Sequence, residues 1–164
     1  MNDGRRIRQW VLPTSHDTER LGAALGAAVR SGDLILLFGQ LGAGKTTFTR
    51  GIARGIGIDQ PVMSPTFTLV REHPGALPLF HMDFYRLTRA EEAEEAGLAD
   101  YLQRAGVCVI EWPECALDAL PDDRLELYFS VFDDDARAIQ AVSAGRRAED
   151  LLDAWEACHA DPVD

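Results

Sequence analysis

Gly39-Gln40-Leu41-Gly42-Ala43-Gly44-Lys45-Thr46 has the spacing G-x-x-x-x-G-K-[ST]. Glycines let a backbone curl until several N–H groups point inward at one anion. A helix that begins where the curl ends adds its positive N-terminal end. Such a cup suits a polyphosphate tail. Leu41, Gly42, Ala43 and Gly44 supply amides, and Lys45 a point charge for the β and γ phosphates. The Thr46 hydroxyl is placed for magnesium, and Thr47 adds a contact. A random chain of this length meets the pattern about once in two hundred. Here an apolar run precedes the motif and a helical pattern follows, as the motif demands. The implied ligands are ATP and magnesium.

Chemistry on a phosphate held this way needs an acid at the end of a second strand, beside the metal. Two segments offer one: Leu79-Phe80-His81-Met82-Asp83 and Val107-Cys108-Val109-Ile110-Glu111. The residue pattern does not choose between Asp83 and Glu111, and both can serve. Ser64-Pro65-Thr66 offers hydroxyls to the γ-phosphate or the metal, or else is an ordinary Ser-Pro turn opening a strand. His81, a lone histidine, reads as a packed core residue rather than a base. Arg86 reads equally as a transition-state charge or a surface ion pair. Arg50 and Arg54 form a solvated face or a docking spot, and Glu91, Glu92, Glu94 and Glu95 a solvated helix face.

The elements that must position these groups alternate in type. Arg8–Leu12 reads as a short edge strand ending at Pro13. Thr14, Ser15 and Asp17 offer oxygens to cap a helix carrying Leu21, Leu25, Ala28 and Val29 at helical spacing, and Gly32 stops it. Leu34–Phe38 is a continuous apolar run, the pattern of a strand buried on both faces of a parallel sheet. Phe48, Ile52 and Ile56 share one face of the next helix, which Gly57 and Pro61 end. Phe67–Arg71 and Leu77–Phe84 read as strands around a Pro74–Gly75 turn. Glu91–Tyr101 is helical in period, and Val107–Ile110 is another buried strand. Leu125–Phe132 alternates like a strand near the sheet edge, paired with Ala136–Val142 across Asp133–Asp135. Residues 147–159 form an amphipathic helix with Leu151, Leu152 and Trp155 inward, and the last five residues fray. The fold class expected is an α/β P-loop sandwich: a mostly parallel central sheet, flanked by helices, with antiparallel edge strands.

The bulk numbers agree with a single domain over residues 1–164, with a core from about 8 to 142. The chain has 164 residues and is 46% hydrophobic, enough for one sizeable core. Its apolar runs are far shorter than the ~20 residues of a membrane span. A net charge of −11 argues against strong nucleic-acid binding by the chain alone, because phosphate neutralisation supplies most of that affinity. Three widely spaced cysteines read as free thiols in a reducing cytoplasm, with Cys108 in the core. Met1–Gln9 is basic and polar with no apolar stretch of a secretory signal after it, so a cytoplasmic location is expected.

Four motifs occur in order: Gly39–Thr47, Ser64-Pro65-Thr66-Phe67-Thr68-Leu69, His81-Met82-Asp83-Phe84-Tyr85-Arg86 and Glu111-Trp112-Pro113-Glu114. As a set they resemble the TsaE family, the bacterial ATPase subunit of the tRNA threonylcarbamoyladenosine machinery, over about Leu12 to Val142. The resemblance implies a small P-loop ATPase that works with TsaB and TsaD. That machinery places threonylcarbamoyl on the adenosine beside the anticodon, and ATP hydrolysis supports repeated turnover. It implies that Thr46 and Glu111 are the magnesium-side residues, that Asp83 and Ser64–Thr66 lie in switch-like segments, and that Trp112 sits near the nucleotide. It places the region around Thr14 near the nucleoside end, and it implies contact with tRNA only through the complex. The catalytic set is then Lys45, Asp83, Glu111 and Thr66, with water oriented by Asp83 or Thr66. No catalytic glutamine is evident, so slow intrinsic turnover is expected. Two other classes share the P-loop: a small-molecule kinase, for which the acidic Glu91–Glu95 makes a poor phosphate lid, and a nucleotide-gated interaction module with little hydrolysis.

Overall fold

The computed structural model describes residues 4–65 and 67–160. Residues 161–164, most of the segment expected to fray, lie outside the described residues. One seven-stranded sheet runs in the order β1-β7-β6-β2-β5-β4-β3. Its strands are β1 (Arg6–Leu12), β2 (Leu34–Phe38), β3 (Val70–His73), β4 (Leu79–Asp83), β5 (Val107–Glu111), β6 (Arg124–Val131) and β7 (Arg137–Ala144). The four central strands β6, β2, β5 and β4 are mutually parallel. β7 and β1 add antiparallel on one side and β3 on the other. This is the expected architecture.

Helices α1 (Ser15–Ala28), α2 (Lys45–Ile56) and α5 (Arg146–Ala160) cover one face. Leu21, Leu25, Phe48, Ile52, Leu151, Leu152 and Trp155 meet Ile35, Leu37, Val109, Leu125 and Leu127 there. The Trp155 indole N–H finds the Leu21 carbonyl at 3.1 Å, which settles the polar end of a fully buried ring. The short helices α3 (Ala90–Glu95) and α4 (Leu98–Gln103) and a 3₁₀ turn at Glu114–Ala119 cover the other face over Leu36, Phe80, Met82 and Ile110.

α1 starts at a capping box: the Asp17 amide donates to the Thr14 hydroxyl, and the Thr14 amide to the Asp17 carboxylate. α1 and α2 then touch backbone to backbone. A Cβ placed on Gly51 would stand 2.1 Å from the Glu19 carbonyl oxygen, and one on Gly22 would stand 2.3 Å from that of Phe48. Gly26 and Gly55 repeat this one turn on. Only glycine permits that approach, and it sets the height of α2, and hence of the loop before it, above the sheet.

Three elements depart from expectation. β6 is third in the sheet, beside β2, and not near an edge. Its alternation reports one buried face (Leu125, Leu127, Phe129) and one bearing Glu126 and Tyr128, which is one-sided coverage rather than edge position. The expected strand Phe67–Arg71 begins only at Val70. Leu69 takes a left-handed φ of 65°, its amide closes a turn onto the Pro65 carbonyl, and Phe67 is 83% exposed. The expected helix Glu91–Tyr101 is two helices, broken where Gly97 takes φ 97°.

Candidate functional site

The phosphate loop joins the end of β2 to the start of α2, at the carboxyl edge of the parallel strands, where open α/β sheets hold ligands. Gly42 (φ 78°) and Gly44 (φ 101°) make the curl, in conformations that penalise a side chain. Lys45 is the first residue of α2 and is 4% exposed. Its ammonium donates to the Gly39 carbonyl and lies 3.5 Å from the centroid of the Trp112 ring. Burial pulls its pKa below the ordinary 10.5, against the opposing pull of Glu111, Glu114 and Asp83.

The two strand-end acids are partners in register, Asp83 of β4 beside Glu111 of β5, and both are buried. Glu111 faces the phosphate loop. The Thr46 hydroxyl donates to its carboxylate at 3.2 Å, and His81 Nε2 lies 2.5 Å from Oε2. His81 is fully buried, and its Nδ1 has no partner among the described residues. A carboxylate can only accept, so Nε2 is the donor in this bond to Glu111. Asp83 lies on the same face of the sheet but is held by other partners. It accepts from the Ser64 hydroxyl at 2.8 Å and from the Tyr85 amide at 2.9 Å. Tyr85 packs on Trp112 with ring centroids 4.9 Å apart.

Thr46 and Glu111 offer only oxygen, the donor chemistry of a hard divalent ion such as magnesium. No cluster of three His, Cys, Asp or Glu side chains suited to a metal occurs among the described residues. A P-loop site needs none, because phosphates and waters complete the coordination of magnesium. The residues present fit the ion.

Comparison with known proteins gives the family. The family model described as "Threonylcarbamoyl adenosine biosynthesis protein TsaE" matches residues 12–139. The chain belongs to the TsaE family. The TsaE protein of Bacillus subtilis is 40% identical over 146 residues, 88% of this chain and 91% of that one. The TsaE protein of Treponema pallidum is 40% identical over 129 residues, 79% of this chain and 96% of that one. The crystal structure of YdiB from B. subtilis superposes with a TM-score of 0.81 at 35% identity, covering 93% of this chain and 96% of that one. The match spans nearly the same residues as the four-motif resemblance.

In this TsaE-family chain a cavity of about 410 Å³ opens over the loop. Leu41, Gly42, Ala43, Gly44, Lys45, Thr46 and Thr47 line it, with Asp83, Glu111, Trp112 and Ser64, so those sequence-derived residues are brought together. Thr14 is not in the lining. Its hydroxyl caps α1, and its neighbours Ser15 and Thr18 reach the cavity instead. Thr66 lies outside the described residues. Tyr85, Asp135 and Arg137 also line the cavity and were not anticipated. Tyr85 sits inside a recognised motif, but Asp135 and Arg137 come from a hairpin that carries no motif at all. Arg86 stacks over Phe67, 4.5 Å from its ring centroid, outside that lining. Arg50 donates to the Val62 carbonyl and Arg54 pairs with Glu19, so both brace the fold locally. Cys108, Cys115 and Cys158 are free thiols, and burial raises the Cys108 pKa to about 12. No helix among the described residues is long and apolar enough to cross a membrane.

Proposed function

We propose that this protein is the magnesium-dependent ATPase subunit of tRNA threonylcarbamoyladenosine modification. It acts in the cytoplasm as a single P-loop domain with a TsaB–TsaD pair and meets tRNA only through that complex. Family membership supports the pathway, since the TsaE relatives carry names for threonylcarbamoyladenosine biosynthesis. The observation that carries the chemistry is the placement of Lys45, Thr46 and Glu111 together, with Thr46 3.2 Å from Glu111, over a cavity of nucleotide size.

In this reading the amides of Leu41 to Gly44, the Lys45 ammonium and Thr47 hold the phosphates. Lys45 exchanges the Gly39 carbonyl for phosphate oxygens, which raises its depressed pKa. Thr46 and Glu111 would hold magnesium, which would supply charge neutralisation at the phosphates. His81 keeps Glu111 turned toward Thr46. Asp83, tied to Ser64 and Tyr85, sets the segments that flank the γ-phosphate position, and either Asp83 or Thr66 orients the attacking water. Catalysis by positioning and charge alone, without a glutamine to hold the water, gives slow turnover until a partner completes the site. Exposed Leu41, Met63, Phe67 and Tyr85 in the segments around the cavity support a protein partner at its mouth.

The test is phosphate release from magnesium-ATP by the purified chain, alone and with TsaB–TsaD, for the natural protein, Lys45→Ala and Glu111→Ala. Release to water that is lost in both variants supports the reading. Release only in the presence of a phosphate acceptor would make the protein a kinase, and no release under any condition would make it a nucleotide-gated module.

A further inference from the structure

Arg137 enters the phosphate loop from the side. It opens β7, opposite Leu12 of β1 and Val131 of β6. Its Nη1 donates to the carbonyls of Asp133, Asp134 and Ala136 at 2.9, 3.2 and 3.0 Å, and its Nη2 donates to the Gly42 carbonyl at 3.0 Å. The Asp133 carboxylate accepts from the amides of Asp135 and Ala136, so the turn under the guanidinium is itself ordered. The stem of Arg137 also lies along the loop: a Cβ on Gly44 would sit 3.8 Å from its Cγ and 3.9 Å from its Nε. That Nε is buried without a hydrogen-bond partner among the described residues.

This is a costly way to use an arginine. Its hydrogen bonds go to four carbonyls, which carry no full charge. The amides of Ala136 and Asp135 lower the pKa of the Asp133 carboxylate in the turn, and the guanidinium is near enough to help lower it, in a chain whose net charge is −11. An orphaned donor adds a further penalty. What Arg137 does achieve is geometric. The N–H and C=O of one peptide point in opposite directions, so fixing the Gly42 oxygen fixes the plane of the Gly42–Ala43 peptide. Gly42 has a φ of 78° and no side chain to hold that plane itself. The rigid fork of a guanidinium can span the turn and the loop at once, which an ammonium cannot.

We propose that Arg137 is a positioning residue for polyphosphate binding. It ties the β6–β7 turn to the phosphate loop and holds the Gly42–Ala43 peptide in the orientation that grips phosphate, with its charge favouring the anion. The inference deepens the proposed function and rests on the reading that this loop holds a polyphosphate.

The test titrates the full chain, Arg137→Ala and Arg137→Lys with magnesium-ATP and, separately, with inorganic triphosphate, by calorimetry at one salt concentration. Arg137→Ala is expected to weaken both ligands about tenfold, as loss of a charge-assisted hydrogen bond would, while melting within a few degrees of the natural protein. Arg137→Lys, which keeps the charge but loses the fork, is expected to weaken both about threefold. Unchanged triphosphate affinity in a folded Arg137→Ala overturns the inference, whether or not ATP binding suffers, since loss confined to ATP would put Arg137 on the nucleoside. Should Arg137→Ala not fold, Arg137→Lys decides alone: weakened binding supports the inference and natural affinity overturns it. If the natural protein binds neither ligand, the polyphosphate reading itself fails, a distinct result.

Discussion

The two walls of the cavity are held by different means. The phosphate loop sits on α2, whose Gly51 and Gly55 rest on the backbone of α1, and its curl is fixed by glycine dihedrals. The facing wall is a set of side chains at strand ends. There Glu111 is held by Thr46 and His81, and Asp83 holds Ser64 and the Tyr85 amide. On either side of Ser64, Met63 and Phe67 are 61% and 83% exposed. A wall made of backbone has one conformation at ordinary energies. A wall made of hydrogen-bonded side chains can exchange partners when charge arrives. Under the proposed function, the first wall binds and the second switches.

The comparison breaks most sharply at the chemistry the walls share. Glu111→Ala and Lys45→Ala are each expected to reduce phosphate release about a hundredfold. Glu111→Ala should keep nucleotide affinity measured without magnesium, and Lys45→Ala should lose it. Next comes the backbone wall. Gly51→Ala puts a methyl 2.1 Å from the Glu19 carbonyl oxygen, which forces α1 and α2 apart. The expected cost is about 3 kcal/mol in denaturant unfolding, from overpacking. A neutral Gly51→Ala would show that the clasp is softer than its geometry. On the carboxylate wall, His81→Leu leaves Glu111 free to turn. A roughly tenfold rise in the magnesium concentration for half-maximal release is expected, as for loss of an outer-shell partner, with nucleotide affinity unchanged. Asp83→Ala should cut release by about tenfold and open the 62–69 segment to proteolysis, while binding survives. Equal loss of binding in Asp83→Ala and Lys45→Ala would erase the distinction between the walls.

The smallest effect is in pH. Burial lowers the pKa of Lys45 from 10.5, so the unfolded chain holds that proton more tightly than the folded one. The cost of the buried ammonium is therefore present in full below the folded pKa and fades as pH rises toward 10.5. The ligand-free natural protein should gain stability relative to Lys45→Met over that window. Bound polyphosphate should reverse the sign, because it favours the ammonium form. Thermal melts of both proteins across alkaline pH check this.

Most of the first wall was legible in the sequence, because glycine spacing, an apolar run and a helical period are local properties. β2 and α2 fall on the expected residues, and Thr14 and Asp17 were among the oxygens expected to cap α1. Phe67-Thr68-Leu69 misled because its residues favour strands, while in the fold Leu69 turns left-handed, donates to the Pro65 carbonyl and accepts from the Asp83 amide of β4, a bond no local propensity reports. His81 read correctly as buried, but its bond to Glu111 joins neighbouring strands 30 residues apart and leaves no local trace.

By itself, then, the sequence determined the phosphate cup, the two acids that could face it and the family, since these depend on residue type and short spacing. Only the tertiary structure decided that Glu111 meets Thr46 while Asp83 meets Ser64, that α1 reaches the cavity through Ser15 and Thr18 rather than Thr14, and that Arg137 reaches Gly42 from 95 residues away. Strand order and register settle those pairings, and they follow from how the whole sheet buries its faces, which no short segment encodes.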